Sequence, residues 1–207
     1  MFNRIETNIA KVVSVVLHPL LMPTYTIIIL FNLQAYFSLI IPIKAKWFIG
    51  SMVFLTTGLL PLLFTFIMTR TGLVRNLLMN QREERLWPFM VTALFYYLAY
   101  YLLGQLEISA VYSFFMLGAF VSLVIGLIVS FFWKISAHMI GMGGITGAFI
   151  GLSFTMIIDM PMLIIILILM SGVAGFARLK LSAHNPAQIF FGYLTGFGIL
   201  LAILLNA

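Results

Sequence analysis

Residues 110–133 read AVYSFFMLGAFVSLVIGLIVSFFW, without a single Asp, Glu, Lys, Arg or His. The run is longer than the ~20 apolar residues a helix needs to cross the hydrocarbon core of a bilayer. Working outward, comparable apolar runs recur at about 20–41, 47–69, 89–104, 162–177 and 189–205, with a glycine-rich one, GMGGITGAFIG, opening at 141. Of the 207 residues, 63% are hydrophobic and 8% charged, against roughly 25% charged in a soluble domain. Water could not solvate such a surface. The fold class expected is all-α, a polytopic transmembrane bundle of six to seven helices. With short connections between the runs, residues 1–207 read as a single membrane domain. Within it, Arg4, Glu6 and Lys11 alternate with Ile5, Ile9, Val12, Val13 and Val16 over residues 1–17, a pattern that suits an amphipathic helix in the interface. The runs at 89–104 and 162–177 are short for a full crossing, so tilt or a partly buried helix is open there.

The absence of cysteine removes disulfides, thiolate metal sites and cysteine nucleophiles. The net charge of +6 arises from 11 Lys and Arg against 5 Asp and Glu. In a membrane chain such an excess reflects loop charges that set orientation, so no nucleic-acid partner is expected. Glu6, His18-Pro19 and the lack of a small-residue cleavage site argue against a removable signal. No Walker-type loop, HExxH or hydrolase-spaced carboxylate pair is present. Glycines 141, 143, 144, 147 and 151 read as a helix-packing face.

Three polar stretches interrupt the apolar runs: RTGLVRNLLMNQREERLWP at 70–88, KISAH at 134–138, and Arg178 to Gln188. Two spans separate the first from the second, and two more the second from the third, so all three emerge on one membrane face. They gather Arg75, Arg82, Arg85, Lys134 and Arg178 with His138 and His184. One reading is loop charges obeying the positive-inside rule. The other is an anion site, since forked guanidinium donors match phosphate oxygens. Glu83 and Glu84 read as partners for neighbouring arginines or a solvated face, and Asp159 and Glu107 as anchors on the opposite face. His18 is either a helix-start residue before Pro19 or a neighbour of the site.

The spacing of the third stretch resembles a known signature. Ala177-Arg178, five residues, His184, three residues, Gln188, three residues and Gly192 is similar to SR-x5-H-x3-D, often followed by glycine, in the type 2 phosphatidic acid phosphatase family, related to the vanadium haloperoxidases. Ile135-Ser136-Ala137-His138 resembles that family's PSGH, and Arg75 and Arg82 stand at the spacing of K-x6-RP. The departures are Arg75 for lysine, Glu83 for the first-motif proline, Ile135 and Ala137 for proline and glycine, Ala177 for serine, and Gln188 for aspartate. Pro88 follows Arg85, so Arg85 is a second candidate for the first-motif arginine.

The resemblance implies a metal-independent phosphatase needing no cofactor. His184 would attack phosphorus and form a phosphohistidine, and His138 would protonate the leaving oxygen and later help activate water. Arg178, with Arg75 and Arg82 or Arg85, would bind the equatorial oxygens. Lys134 would add charge, and Ser136 would cap the following helix beside the phosphate. Gln188 would accept a hydrogen bond from His184 without bringing the aspartate's charge. The partner expected is the bilayer itself and a lipid substrate of the phosphatidic acid, phosphatidylglycerophosphate or polyprenyl diphosphate class. A second reading is an inactive relative that binds or transports such a lipid, and a third is a structural subunit. The expected location is a bacterial inner membrane. The positive-inside rule would turn the motif face to the cytoplasm, whereas the resemblance implies a site facing away from it.

Overall fold

Proline and short polar breaks divide the apolar chain into helices. The structure, a computed structural model, describes residues 2–74 and 83–206. Arg75 and Arg82, two of the expected phosphate ligands, lie outside the described residues. The described residues are helical with no strand: α1 (Phe2–Val16), α2 (Met22–Asn32), the short α3 (Tyr36–Leu39), α4 (Ile43–Val53), α5 (Leu60–Arg70), α6 (Leu86–Gly104), α7 (Ala110–Ser130), α8 (Ala137–Met156), α9 (Pro161–Lys180) and α10 (Pro186–Leu205). Among them, 7 helical stretches are long and apolar enough to cross a membrane, the first being Arg4–Asn32 and the second Ile43–Arg70. The protein is an integral membrane helical bundle.

Three element boundaries differ from the sequence expectation. The first span does not run from 20 to 41. Helix α2 stops at Asn32, whose side-chain amide turns back to the Ile28 carbonyl at 2.8 Å, and the membrane-long helical stretch that contains it starts upstream, at Arg4 in α1. The break between α1 and α2 is one 3-10 turn, Pro19–Leu21, because Pro19 has no N–H to continue α1. The segments that looked short are full length, Leu86–Gly104 with 19 residues and Pro161–Lys180 with 20, or roughly 30 Å at 1.5 Å per residue. Pro88 falls in the first turn of α6, where a missing N–H costs nothing. Arg178 and Lys180 sit in the last turn of α9, where cations complement the helix dipole and their stems cover apolar surface. Between α4 and α5, a π-helical turn over Phe54–Leu59 precedes Pro61. Proline leaves a carbonyl without its usual donor, and the ladder widens there. The Thr56 and Thr57 hydroxyls, on the Met52 and Val53 carbonyls, satisfy the loosened backbone.

Helices α8 and α10 form the closest-packed pair, and glycine makes the approach possible. A Cβ on Gly143 would lie 2.0 Å from the Tyr193 carbonyl oxygen, on Gly147 2.2 Å from that of Phe197, and on Gly196 1.9 Å from that of Ile140. Small residues four apart on both helices bring the backbones together, as small residues do in bilayers, where no water is left to drive association. The seam fixes the start of α8 against the start of α10, which is where the second and third polar stretches end. Gly196→Ala must push backbone against backbone. Its expected cost is about 1–3 kcal/mol, the range for overpacking, read as a lower thermal midpoint of the detergent-solubilised protein.

Candidate active site

The third polar stretch is a helix end, a tight turn and a helix start. Ala183 N–H donates to the Arg178 carbonyl (3.1 Å) and Ser182 N–H to that of Leu179 (2.9 Å), with Ser182 left-handed at φ 50°. These are the two bonds of a Schellman motif closing α9. Asn185 then caps α10, accepting the Gln188 N–H at 2.9 Å, and Pro186 occupies the first turn. The five residues between Arg178 and His184 are thus the length of one helix stop. That stop returns His184 to the bundle end next to the last turn of α9.

The Gln188 side chain completes a capping box. Its Oε1 accepts from the Asn185 N–H at 3.2 Å and faces His184 Nδ1 at 3.0 Å. A backbone N–H only donates, so the Gln188 atom facing it is the oxygen. The His184 nitrogen on that oxygen must then carry the proton, leaving the lone pair on Nε2. His184 is buried. Burial pushes its pKa down to about 3, helped by Arg85, Arg178 and Lys134 and opposed by the Gln188 hydrogen bond. The imidazole is neutral at pH 7.

The second stretch meets this turn. The Ser136 N–H donates to the Gln188 backbone carbonyl at 3.4 Å. A Cβ on Gly192 would fall 2.9 Å from the Ser136 carbonyl oxygen, so glycine at that position lets α10 close on the start of α8. Arg85, from the first polar stretch, is also buried and donates Nη1–H to the Ile135 carbonyl at 3.3 Å. Its pKa is lowered to about 10 by burial and by Arg178, against the pull of Glu84. That leaves it cationic. Lys134 is lowered by burial, Arg85 and Arg178, as expected for cations gathered with too few carboxylates.

Ser136 departs from its expected role. It occupies the N-cap position of α8, but its side chain makes no capping bond. Its hydroxyl is buried without a partner. Among the described residues the buried Arg178 Nε has no acceptor either, while its Nη1 donates to the Ser14 hydroxyl at 3.3 Å.

His138 is tied by its Nε2 to the Ser14 carbonyl at 3.0 Å. A carbonyl only accepts, so in the neutral ring Nε2 carries the proton and Nδ1 the lone pair. His138 lies within electrostatic reach of Arg178, His18 and His184. Compared with known proteins, the chain matches no family model, no curated protein and no solved structure.

At one end of the bundle the structure brings together Arg85, Lys134, Ser136, His138, Arg178, His184 and Gln188. Among the described residues no group of three or more His, Asp or Glu side chains is placed to hold a metal ion. What the arrangement offers is a set of cationic N–H donors, of which the Arg178 Nε has no acceptor among the described residues, near two histidines each with one nitrogen engaged. Such a set suits a tetrahedral oxyanion. Ser14 was missed in the sequence. Its contribution is partly a backbone carbonyl, which no side-chain pattern signals. Below the site, Pro19, Ala137, Ile140 and Gly141 help line an apolar cavity of about 50 Å³.

Proposed function

We propose that the protein is a membrane phosphatase acting on a lipid phosphate or polyprenyl diphosphate through a phosphohistidine at His184. The observation that carries this reading is the pairing of a buried, acceptor-free Arg178 Nε with a neutral His184 whose Nδ1 is held by Gln188. One needs an anionic oxygen, and the other presents a lone pair beside it. In the first step the P–N bond to His184 Nε2 forms as the bond to the leaving oxygen breaks. His138, once protonated on Nδ1 as the phosphate anion binds, gives that proton to the leaving oxygen, and Arg178, Arg85 and Lys134 stabilise the equatorial oxygens. In the second step water attacks phosphorus, gives its proton to His138, and releases His184. The site lies at one end of an apolar helical bundle, which favours a substrate whose tail remains in lipid. The resemblance adds the substrate classes, phosphatidic acid, phosphatidylglycerophosphate or polyprenyl diphosphate, and a bacterial inner membrane.

The purified protein is expected to release phosphate from such lipids in EDTA. Vanadate, which takes up the five-coordinate geometry of the transition state, is expected to inhibit it. Chelator-sensitive activity restored by magnesium or zinc would sink the mechanism. The competing reading, an inactive lipid-phosphate binder or transporter, draws on Gln188. Its amide has a complete structural role in the capping box and brings no charge to His184.

A further inference from the structure

We propose that His18 is a positioning residue for His138, holding the proposed general acid against Ser14 so that its Nδ1 faces the leaving group. The inference rests on the phosphatase reading. It starts from the break between α1 and α2, which is pinned at three points. The Tyr25 hydroxyl donates to the Val16 carbonyl at 2.9 Å, the Tyr96 hydroxyl to that of Pro19 at 3.2 Å, and the Leu20 N–H to His18 Nδ1 at 3.3 Å. Val13 and Leu17, flanking Ser14, pack onto Met139, Met142 and Ala174. The break is therefore a fixed wall of the site.

His18 does more in this wall than start a helix. Its Nδ1 caps the 3-10 turn, which fixes the ring plane and puts the ring proton on Nε2. The ring then meets the His138 imidazole edge to face, with centroids 5.4 Å apart and planes at 78°. That is a favoured aromatic geometry. His138 is thereby held on two sides, by the Ser14 carbonyl on Nε2 and by the His18 ring on its flank. An acid must lie in hydrogen-bond reach of the oxygen it protonates, so loss of either restraint weakens proton donation first. An N-terminal wall of this kind lies outside the three motif stretches.

The test uses the full-length protein with two substrates, a long-chain alkyl phosphate, whose leaving oxygen needs a proton, and a nitrophenyl phosphate, whose leaving group needs little help. Asparagine is a strong N-cap residue, so His18→Asn keeps the cap while removing the ring. His18→Phe keeps a ring and loses the cap. His18→Asn is expected to lower kcat on the alkyl phosphate by roughly tenfold or more, part of the 10²–10⁴ that general acid–base catalysis contributes. The loss on the nitrophenyl ester is expected to be much smaller, and His18→Phe is expected to keep more alkyl activity than His18→Asn. Equal losses on both substrates, or no loss in His18→Asn, overturn the proposal and leave His18 a helix-start residue. If the wild type itself releases no phosphate from either, the phosphatase reading falls and the proposal with it.

Discussion

His184→Ala is expected to lower kcat by at least about 10³-fold, since loss of a nucleophile in a covalent mechanism leaves only binding and charge stabilisation. The argument comes from the state of the ring. A histidine nucleophile must be neutral, with its lone pair aimed at phosphorus. At His184 burial is the largest influence, and it disfavours the imidazolium, bringing the pKa to about 3. The sign is favourable for nucleophilicity, because a lowered pKa keeps the ring uncharged from mildly acidic pH upward. The same surroundings disfavour charge once phosphorylation makes the ring cationic. Gln188 Oε1 then provides the compensating acceptor. Phosphate release by His184→Ala at a rate near wild type would end the phosphohistidine mechanism. Acid-quenched protein labelled from a substrate phosphate gives an independent check, with label expected on the wild type and absent from His184→Ala.

The bundle was legible because hydrocarbon solvation leaves few choices. A run such as 110–133 has nowhere to go except a membrane-spanning helix, and the described residues hold seven helical stretches long and apolar enough to cross. The meeting of the polar stretches at one end followed from counting spans. That Arg85 reaches the Ile135 carbonyl and Ser136 N–H reaches Gln188 is what two intervening spans demand. The break at His18-Pro19 was also visible, as a proline rule. Less legible were effects that depend on backbone meeting backbone. The Ser14 carbonyl on His138 depends on how α1 and α8 are docked. The extension of α9 through Arg178 and Lys180 was hidden because hydropathy falls before the helix ends. The snorkelling of long cationic stems allows exactly that mismatch between apolar run and helix. The capping box was readable in principle, since Asn185-Pro186-Ala187-Gln188 has its spacing.

Substitutions at Gln188 are expected to separate catalysis from binding, and the structure makes them sharper than the sequence did. Gln188 Oε1 serves two donors, the Asn185 N–H and the His184 Nδ1–H. Gln188→Leu removes the one acceptor that both donors share. Loss of the capping contact is expected to cost about 1 kcal/mol of stability. Loss of the tautomer restraint is expected to cost far more in rate, up to the ~10⁴ that a wrongly held catalytic histidine costs in the serine-protease template. Gln188→Glu keeps chain length and both contacts while adding a negative charge beside a ring that becomes cationic during turnover. Gln188→Asp adds the same charge from a side chain one methylene shorter. The order of kcat expected is Glu and Asp at or above wild type, with Leu far below. The change for Leu should exceed anything its thermal midpoint explains. A lipid-phosphate binder or transporter would behave otherwise, with no variant releasing phosphate and all of them retaining lipid affinity. Substantial and equal turnover by wild type and Gln188→Leu would mean that the capping box is the whole role of Gln188, and that His184 is oriented by something else.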